Sequence, residues 1–322
     1  MINAKELMKA FGWNVTPRGK VVFPGLVEAD NMPAVPSGNI FYVDSENGTD
    51  DTNHGIGPGS QAFDTIEYAL SQCTANNGDV LYVAAGHTET VETDGGLALD
   101  IAGVSIIGLG RYDTRPKIVL DTSAAAAVTV TAADVLLQNF VIEASFADIT
   151  NAIDVTAKGF HIDSCHFQQE GANLNFVDYI HCSSTTDNNA DGLSVTRCTG
   201  YGVDAAINSP LNIKADLADL VFAYNRFNTD HANALAMIQV ATGKDLNNCW
   251  VVHNFYASLK TSGDVFIDND TTANDGWVAH NRAIHLDTAG EVLCDCDGVG
   301  QFDNLGTGVV TASGYILPAI DS

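Results

Sequence analysis

A repeat of about 28 residues runs from near residue 80 to the end of this chain. Each copy has apolar residues two positions apart, followed by a small or amide residue at a turn. The turn position recurs at Leu109, Phe140, Cys165, Cys198, Asn225, Asn254, Asn281 and Asn304. A period of this length indicates one structural unit stacked on itself.

A second apolar phrase repeats in phase with the first. It ends at Val130, Val155, Cys182, Ile213, Val240, Ile267 and Cys294, and another apolar residue precedes each of these by two. Alternation with a period of two is the signature of a β-strand. Two strand phrases per copy, separated by Gly, Asn, Asp and Thr, are incompatible with helical repeats. They predict an all-β fold with at least two strand faces, a right-handed parallel β-helix of about eight or nine coils.

The turn residue of the last four copies is an amide: Asn225, Asn254, Asn281 and Asn304. In stacked coils these side chains are predicted to form a structural ladder, in which each amide bonds the next coil and satisfies buried turn groups. Cys165 and Cys198 occupy the same position in earlier copies, which predicts that they are small buried apolar residues.

The charge of the chain argues against several classes of partner. It has 14 Lys and Arg against 40 Asp and Glu, a net charge of −26. Residues 39–322 hold 10 of the cations and 37 of the anions, whereas residues 1–38 are close to neutral. An acidic surface of this size predicts no binding to nucleic acid or to anionic membranes. The sequence shows no signal peptide and no apolar run of membrane-spanning length, so we expect synthesis in a cytoplasm.

Four segments can be distinguished along the chain. Residues 1–38 form an arm that lacks the repeat and is too short for its own core, so it either folds back on the β-helix or docks elsewhere. Residues 39–76 form an opening strand, loop and helix, residues 77–310 form the repeat, and residues 311–322 form a tail. The docking candidates in the arm are Leu7, Met8, Phe11, Trp13 and Phe23.

The clearest motif lies in residues 39–91. A strand and a Gly- and Asp-rich loop lead to Phe-Asp-Thr-Ile-Glu-Tyr-Ala-Leu at 63–70, followed by Gly-Asp-Val-Leu-Tyr-Val at 78–83. This order resembles the beginning of pectate-lyase-like right-handed β-helix proteins, in which a helix caps the stack of coils. The resemblance implies that Ile66, Ala69, Leu70 and Cys73 cover the open end, which would otherwise expose unpaired strands.

Two further phrases, Gly-His-Thr-Glu-Thr at 86–90 and Ala-Gly-Val-Ser-Ile-Ile-Gly-Leu-Gly at 102–110, resemble β-helix proteins of tailed bacteriophages. This resemblance implies a virion setting, with synthesis in the host cytoplasm. Together with the absence of a clear catalytic set and with the near-neutral, apolar arm, it predicts a non-enzymatic structural protein presented on the particle surface as a capsid decoration protein. It also implies a homotrimer. The arm would dock on the major capsid protein or on other virion proteins.

Two alternative functions remain open: a tailspike-type polysaccharide depolymerase, acting as a glycosidase or a lyase, and a carbohydrate-binding adhesin for host surface glycans. A glycosidase needs two carboxylates near the scissile bond. The candidates are Asp268, Asp270, Asp295 and Asp297, of which Asp268 and Asp295 share a strand face with Asp154. The same acids are expected of a solvated acidic surface, which is the interpretation that we favour, and the sequence contains no lyase motif.

Other side chains offer weaker hypotheses. Trp250, Trp277 and Tyr224 are aromatic residues that could stack on sugars or pack at a subunit contact. His253 and His280 lie one repeat apart, as a stacked pair or as outward turn residues. No cofactor is predicted, apart from a weak Ca²⁺ hypothesis for four acids of the opening loop: Asp44, Glu46, Asp50 and Asp51.

Overall fold

The computed structural model describes residues 14–15, 21–22, 38–169, 173–183, 186–202, 209–229, 236–258, 266–269, 274–285, 295–296, 298–308 and 315–318. The chain divides into two compact units, Met1–Pro36 and Ser37–Ser322. In the first unit, strands Asn14–Val15 and Val21–Val22 pair in antiparallel fashion. The predicted docking residues Leu7, Met8, Phe11, Trp13 and Phe23 lie outside the described residues.

The second unit is built from three sheets that run along its length. The strands of the first sheet are Ile40–Val43, Val80–Val83, Ser105–Gly108, Leu136–Gln138, His161–Asp163, Ser194–Thr196, Val221–Ala223, Cys249–Val252, Gly276–Ala279 and Gly300–Phe302. Those of the second sheet are Thr88–Val91, Lys117–Leu120, Val141–Ala144, His166–Gln169, Thr199–Gly202, Arg226–Thr229, Phe255–Ser258, Arg282–His285, Leu305–Gly308 and Tyr315–Pro318. Those of the third sheet are Asp94–Leu99, Ala127–Val130, Ile149–Val155, Phe176–Cys182, Ser209–Ile213, Ile238–Val240, Ile267–Asn269 and Asp295–Cys296.

This architecture confirms the predicted fold class, a right-handed parallel β-helix. The eight strands of the third sheet span about seven turns, slightly fewer than the coils predicted. Strand Tyr315–Pro318 runs antiparallel to Leu305–Gly308 and extends the second sheet. A short extra ladder joins Leu217–Ala218 to Leu246–Asn247.

The capping helix spans Ile66–Ser71, and short 3₁₀ turns lie at Gly59–Gln61 and Tyr112–Thr114. The side chain of Thr65 caps the helix by accepting a hydrogen bond from the backbone nitrogen of Tyr68 at 3.1 Å. Ile66, Ala69 and Leu70 are buried in the core that the three sheets share. The helix therefore closes the hydrophobic interior near its first coil.

Aromatic rings fill the middle of this interior. Phe167 and Phe227 lie two strands apart on the second sheet, with Gly200 between them in register. Tyr179 from the third sheet stacks on Phe167 at 5.0 Å between ring centroids and contacts Phe227 at 5.7 Å. A Cβ atom at position 200 would lie 2.8 Å from ring atoms of both Phe227 and Tyr179. Glycine is therefore required here by close packing of the rings.

The four asparagines lie buried at the turn between the first and second sheets. The backbone nitrogen of Asn225 donates to Asn254 Oδ1 at 2.9 Å, and that of Asn254 donates to Asn281 Oδ1 at 2.9 Å. Asn281 bonds Asn304 in the same way at 3.1 Å. At this buried turn, each amide oxygen thus accepts the hydrogen bond of a backbone nitrogen in the preceding coil.

Two details of the predicted repeat are wrong. Leu109 is 42% exposed, unlike the other turn residues, because the chain leaves the coil after Gly108 and forms the 3₁₀ turn before rejoining. In the second phrase, Ile267 pairs with Ile238 rather than Val240. The register therefore brings Asn269, which is buried, into the last inward position of that coil.

Candidate functional site on the third sheet

A row of polar side chains crosses the outer face of the third sheet. Parallel pairing places one residue from each of six neighbouring strands in line: Asp154, His181, Asn212, Gln239, Asp268 and Asp295. The members from Asp154 to Asp268 point away from the core, because residues on either side of them, such as Leu211 and Ile213, are buried in it. Asn212 is nevertheless only 4% exposed. Neighbouring members are separated by the strand spacing of about 4.8 Å.

A second, shorter row lies beside the first. Asn151, Asp178 and Ser209 are in register on three of the same strands. Asn212 Nδ2 donates to Asp178 Oδ2 at 2.8 Å, and the backbone nitrogen of Ser209 donates to Asp178 Oδ1 at 3.3 Å. These bonds join the two rows into one surface. We call it the third-sheet polar face: Asn151, Asp154, Asp178, His181, Ser209, Asn212 and Gln239.

This face has unsatisfied hydrogen-bonding groups. Within the part of the chain that the structure describes, six of its buried atoms have no hydrogen-bond partner: Asn151 Oδ1, Asp154 Oδ1, His181 Nδ1, Ser209 Oγ, Asn212 Oδ1 and Gln239 Oε1. Four of the six are oxygens that can only accept. A buried polar atom without a partner costs about 1–3 kcal/mol, so folded proteins contain few of them. Their concentration on one face sets this face apart from the rest of the sheet.

The two carboxyl groups of this face have different surroundings. Asp178 is 4% exposed, and this burial raises its pKa above the usual value despite the hydrogen bond from Asn212 and the nearby charge of His181. Asp154 is more open, and its Oδ2 accepts a hydrogen bond from Ser183 Oγ at 2.7 Å. Asp154 Oδ1 lies 3.7 Å from His181 Nδ1, beyond normal hydrogen-bond length. The burial of Asp178 therefore favours its protonated form.

The acids that the sequence singled out are only partly brought together. Asp268 and Asp295 are paired on neighbouring strands and in line with Asp154. Asp270 and Asp297 lie outside the described residues. The structure adds Asp178, which sequence reasoning missed because Asp178, Tyr179 and Ile180 are all buried and the alternation of this strand is broken.

The aromatic candidates lie on a different face. Trp250 and Trp277 belong to the first sheet, and Tyr224 follows one of its strands. The acids of the third sheet and the aromatic rings of the first therefore do not share one groove in the described residues.

The acids of the opening loop have partners within the chain. Asp50 accepts hydrogen bonds from the backbone of Asp64 and from both the backbone and the hydroxyl of Thr65. Asp44 accepts from the backbone of Glu46, and Asp51 from the ring of His54. Among the described residues, no group of three or more Asp, Glu, His or Cys is placed to hold a metal ion. These acids thus act locally as turn and cap acceptors.

Comparison with known proteins gives a likeness of fold. No family model matches the chain, and no curated protein matches it. Among the described residues, no helix has the length and apolar character that a membrane span requires. A solved rhamnogalacturonan lyase superposes with a TM-score of 0.52 at 13% identity, covering 88% of this chain and 80% of that chain. The chain thus has the pectate-lyase-like fold, the right-handed parallel β-helix.

Proposed function

We propose that this chain is a bacteriophage virion-surface protein that binds an extended glycan across the third-sheet polar face. The observation that carries the proposal is the set of six buried, unpaired polar atoms on that face.

A glycan fits this face by chemistry and by spacing. Four of the unpaired atoms are acceptors, and the hydroxyl groups of a sugar are donors of matching chemistry. Along the axis of the solenoid, Asn212 and Gln239 lie on neighbouring strands, and Asp154 lies two strands before Asn212. An extended sugar chain lying along that axis presents hydroxyl groups at intervals comparable to the spacing between strands. Because Asp154 and Asp178 make the face acidic, we expect neutral sugars to bind better than uronic acids.

Binding to immobilised neutral and acidic oligosaccharides tests this proposal. The full chain is compared with Asp154→Ala and Asn212→Ala, which remove acceptors from the face, and with Asp100→Ala, an exposed acid elsewhere. We expect binding by the wild type and Asp100→Ala, and at least a tenfold loss in the other two variants with unchanged circular dichroism. Equal binding by all four proteins, or binding by none, would contradict it.

The virion setting is supported by charge and by the phage-like phrases. The near-neutral arm belongs to a compact unit separate from the acidic β-helix, as expected if one part docks and the other projects. In this proposal the protein decorates the capsid as a homotrimer and contacts the major capsid protein. Locating its density in images of intact virions tests the setting. Density over the capsid lattice supports decoration, whereas density confined to the tail favours a spike.

A second candidate, a polysaccharide depolymerase, is favoured by one observation. Asp178 and Asp154 have different environments, as the acid and the base of a glycosidase do. In that case Asp178 would protonate the glycosidic oxygen while Asp154 activates water. Incubation with a bound oligosaccharide, followed by a reducing-end assay, decides between the two. Release of reducing ends that Asp178→Asn abolishes while binding persists favours the enzyme, and no release favours the binding protein.

A further inference from the structure

The unpartnered atoms of the third-sheet polar face are mostly acceptors. Four of them, in the described part of the chain, are side-chain oxygens that only accept hydrogen bonds: Asn151 Oδ1, Asp154 Oδ1, Asn212 Oδ1 and Gln239 Oε1. Asn212 is 4% exposed, and its Nδ2 donates to Asp178 at 2.8 Å, so the direction of its remaining oxygen is fixed. A ligand that suits this face must therefore supply protons rather than lone pairs.

Asp154 and His181 present two acceptors side by side. Asp154 Oδ1 and His181 Nδ1 lie 3.7 Å apart, and neither atom has a hydrogen-bond partner within the described residues. A protonated Nδ1 would donate to the carboxylate and approach it to ordinary hydrogen-bond length, so we assign the ring proton to Nε2 and a lone pair to Nδ1. Ser183 Oγ donates to the other oxygen of Asp154 at 2.7 Å, which holds the carboxylate in place.

The number of protons on a ligand group decides how well it serves this pair. Because the two acceptors are only 3.7 Å apart, one donor atom can lie within hydrogen-bond distance of both. A sugar hydroxyl has a single proton and serves one acceptor, whereas a primary ammonium group has three and serves both. The bond from an ammonium to a carboxylate is also charge-assisted, with roughly twice the strength of a neutral hydrogen bond.

The charge of the face has the sign that attracts a cation. Asp154 and Asp268 lie in one row across the third sheet, and none of the six members of that row is Lys or Arg. Of the basic groups nearby, His181 is neutral in the assignment above, and Lys214 interacts with Asp178 in the shorter row. The whole chain carries −26. The electrostatic field here therefore favours a positively charged ligand group over a neutral or an anionic one.

We propose that the glycan bound on the third-sheet polar face carries free amino groups, and that one ammonium donates to both Asp154 Oδ1 and His181 Nδ1. The ligand class is an oligosaccharide of deacetylated amino sugars. This inference rests on the proposed function, because it names the kind of sugar that the same face binds. Hydroxyl groups of neighbouring sugars donate to Asn212 Oδ1 and Gln239 Oε1. In an N-acetylated sugar the nitrogen has one proton and no charge, so acetylation removes the double contact.

Titration calorimetry of the full chain with two matched ligands tests this inference. Chitosan oligosaccharides carry an amino group on every sugar, and chitin oligosaccharides of the same length carry an acetamide there. Near neutral pH we expect the wild type to bind chitosan about tenfold more tightly than chitin. Asp154→Asn keeps a side-chain oxygen but removes the charge, and it should bind the two about equally. Glu67→Gln, which alters an exposed acid of the capping helix, should keep the wild-type preference.

The outcomes separate this inference from the proposed function. Equal binding of chitin and chitosan by the wild type would overturn the inference and leave the proposed function intact, whereas binding of neither would overturn both. Spermidine carries amino groups without sugar rings. If spermidine competes as strongly as chitosan does, the face binds ammonium groups irrespective of the sugar, and the assignment to an amino glycan is wrong.

If Asp154→Asn fails to fold, the salt dependence of the wild type provides a second test. Added salt screens the attraction between an ammonium group and a carboxylate, and it has little effect on neutral hydrogen bonds. The preference for chitosan over chitin should therefore decrease as the concentration of sodium chloride is raised. A preference that stays constant would show that charge does not contribute to it, and would overturn the inference.

Discussion

The side-chain oxygen of Asn281 accepts two hydrogen bonds from Asn254, one from the backbone nitrogen at 2.9 Å and one from Nδ2 at 3.0 Å. Asn254 Nδ2 also reaches back to the carbonyl of Phe222 at 2.8 Å. One amide therefore links three successive coils at a position that is 1% exposed. At the turn between the first and second sheets, the backbone groups are therefore hydrogen-bonded by asparagine side chains.

Replacing Asn254 with Ala should destabilise the β-helix markedly. The change leaves the backbone nitrogen of Asn225 and the carbonyl of Phe222 buried without these partners, and each such group costs about 1–3 kcal/mol. We expect the free energy of unfolding to fall by roughly 2–6 kcal/mol in urea denaturation. Asn53→Ala, an exposed position, is the matched control and should cost less than about 0.5 kcal/mol. Equal stability of the two variants would show that the ladder does not contribute.

Glu89 should be essential to the seal between the capping helix and the first coil. Its Oε2 accepts from the backbone nitrogen of Ile66 at 2.9 Å and from His87 Nε2 at 3.1 Å. His87 Nδ1 accepts from the backbone of Ser45 at 3.0 Å, which assigns the ring proton to Nε2. One carboxylate thus binds the opening loop, through the ring of His87, to the first turn of the helix.

Glu89→Ala removes both bonds and leaves a buried imidazole donor unpaired. We expect a loss of about 2–4 kcal/mol and faster amide hydrogen exchange in the capping helix. Glu89→Gln keeps one acceptor oxygen and should lose less than Glu89→Ala. If Gln and Ala are equally harmless, the helix is held by its apolar face alone.

Much of the fold could be predicted from the sequence, because inward residues of a solenoid recur at a fixed spacing. The asparagine positions and the capping helix follow from that pattern and from the resemblance to known β-helix proteins. The third-sheet polar face could not be predicted in the same way. Asp178 contacts Asn212 on the next coil, 34 residues later, and its own strand breaks the alternation on which the prediction depended. The contacts between coils depend on the register in which neighbouring strands pair, and the sequence of one strand does not reveal that register.

The opening loop should be indifferent to calcium. The carboxylate of Asp50 accepts hydrogen bonds from Asp64 and Thr65. One oxygen of Asp51 is hydrogen-bonded to Asn53 and His54. We therefore expect the same thermal midpoint, within about one degree, in EDTA and in excess Ca²⁺. A calcium-dependent rise that Asp51→Asn abolishes would instead revive a metal site in this loop.

The pH dependence of stability should show that Asp178 is held in an environment that disfavours its charge. Burial raises the pKa of Asp178 above the usual 3.8, so the folded chain binds this proton more tightly than the unfolded chain does. The stability contributed by the proton is complete at low pH and is lost as the pH rises from 3.8 through the raised pKa. Asp178→Asn cannot ionise and should escape that loss, so the variant should gain thermal midpoint relative to the wild type between pH 4 and pH 7.

Asp163 provides a control of opposite sign. Its burial would raise the pKa, but hydrogen bonds from Arg197, Gln138 and Thr196 bring it below the usual 3.8. The folded chain therefore favours the charged form, and this stability is present above 3.8 and lost as the pH falls through the lowered value. Asp163→Asn should thus be most harmful near pH 7 and progressively less so in acid. Thermal melts of the wild type, Asp178→Asn and Asp163→Asn from pH 3 to pH 7 measure how the thermal midpoint of each protein changes with pH.

For Asp178, a wild type that gains stability over Asp178→Asn as the pH rises would contradict the prediction. It would mean that the Asp178 carboxylate is stabilised by its surroundings, as in an ordinary structural ion pair.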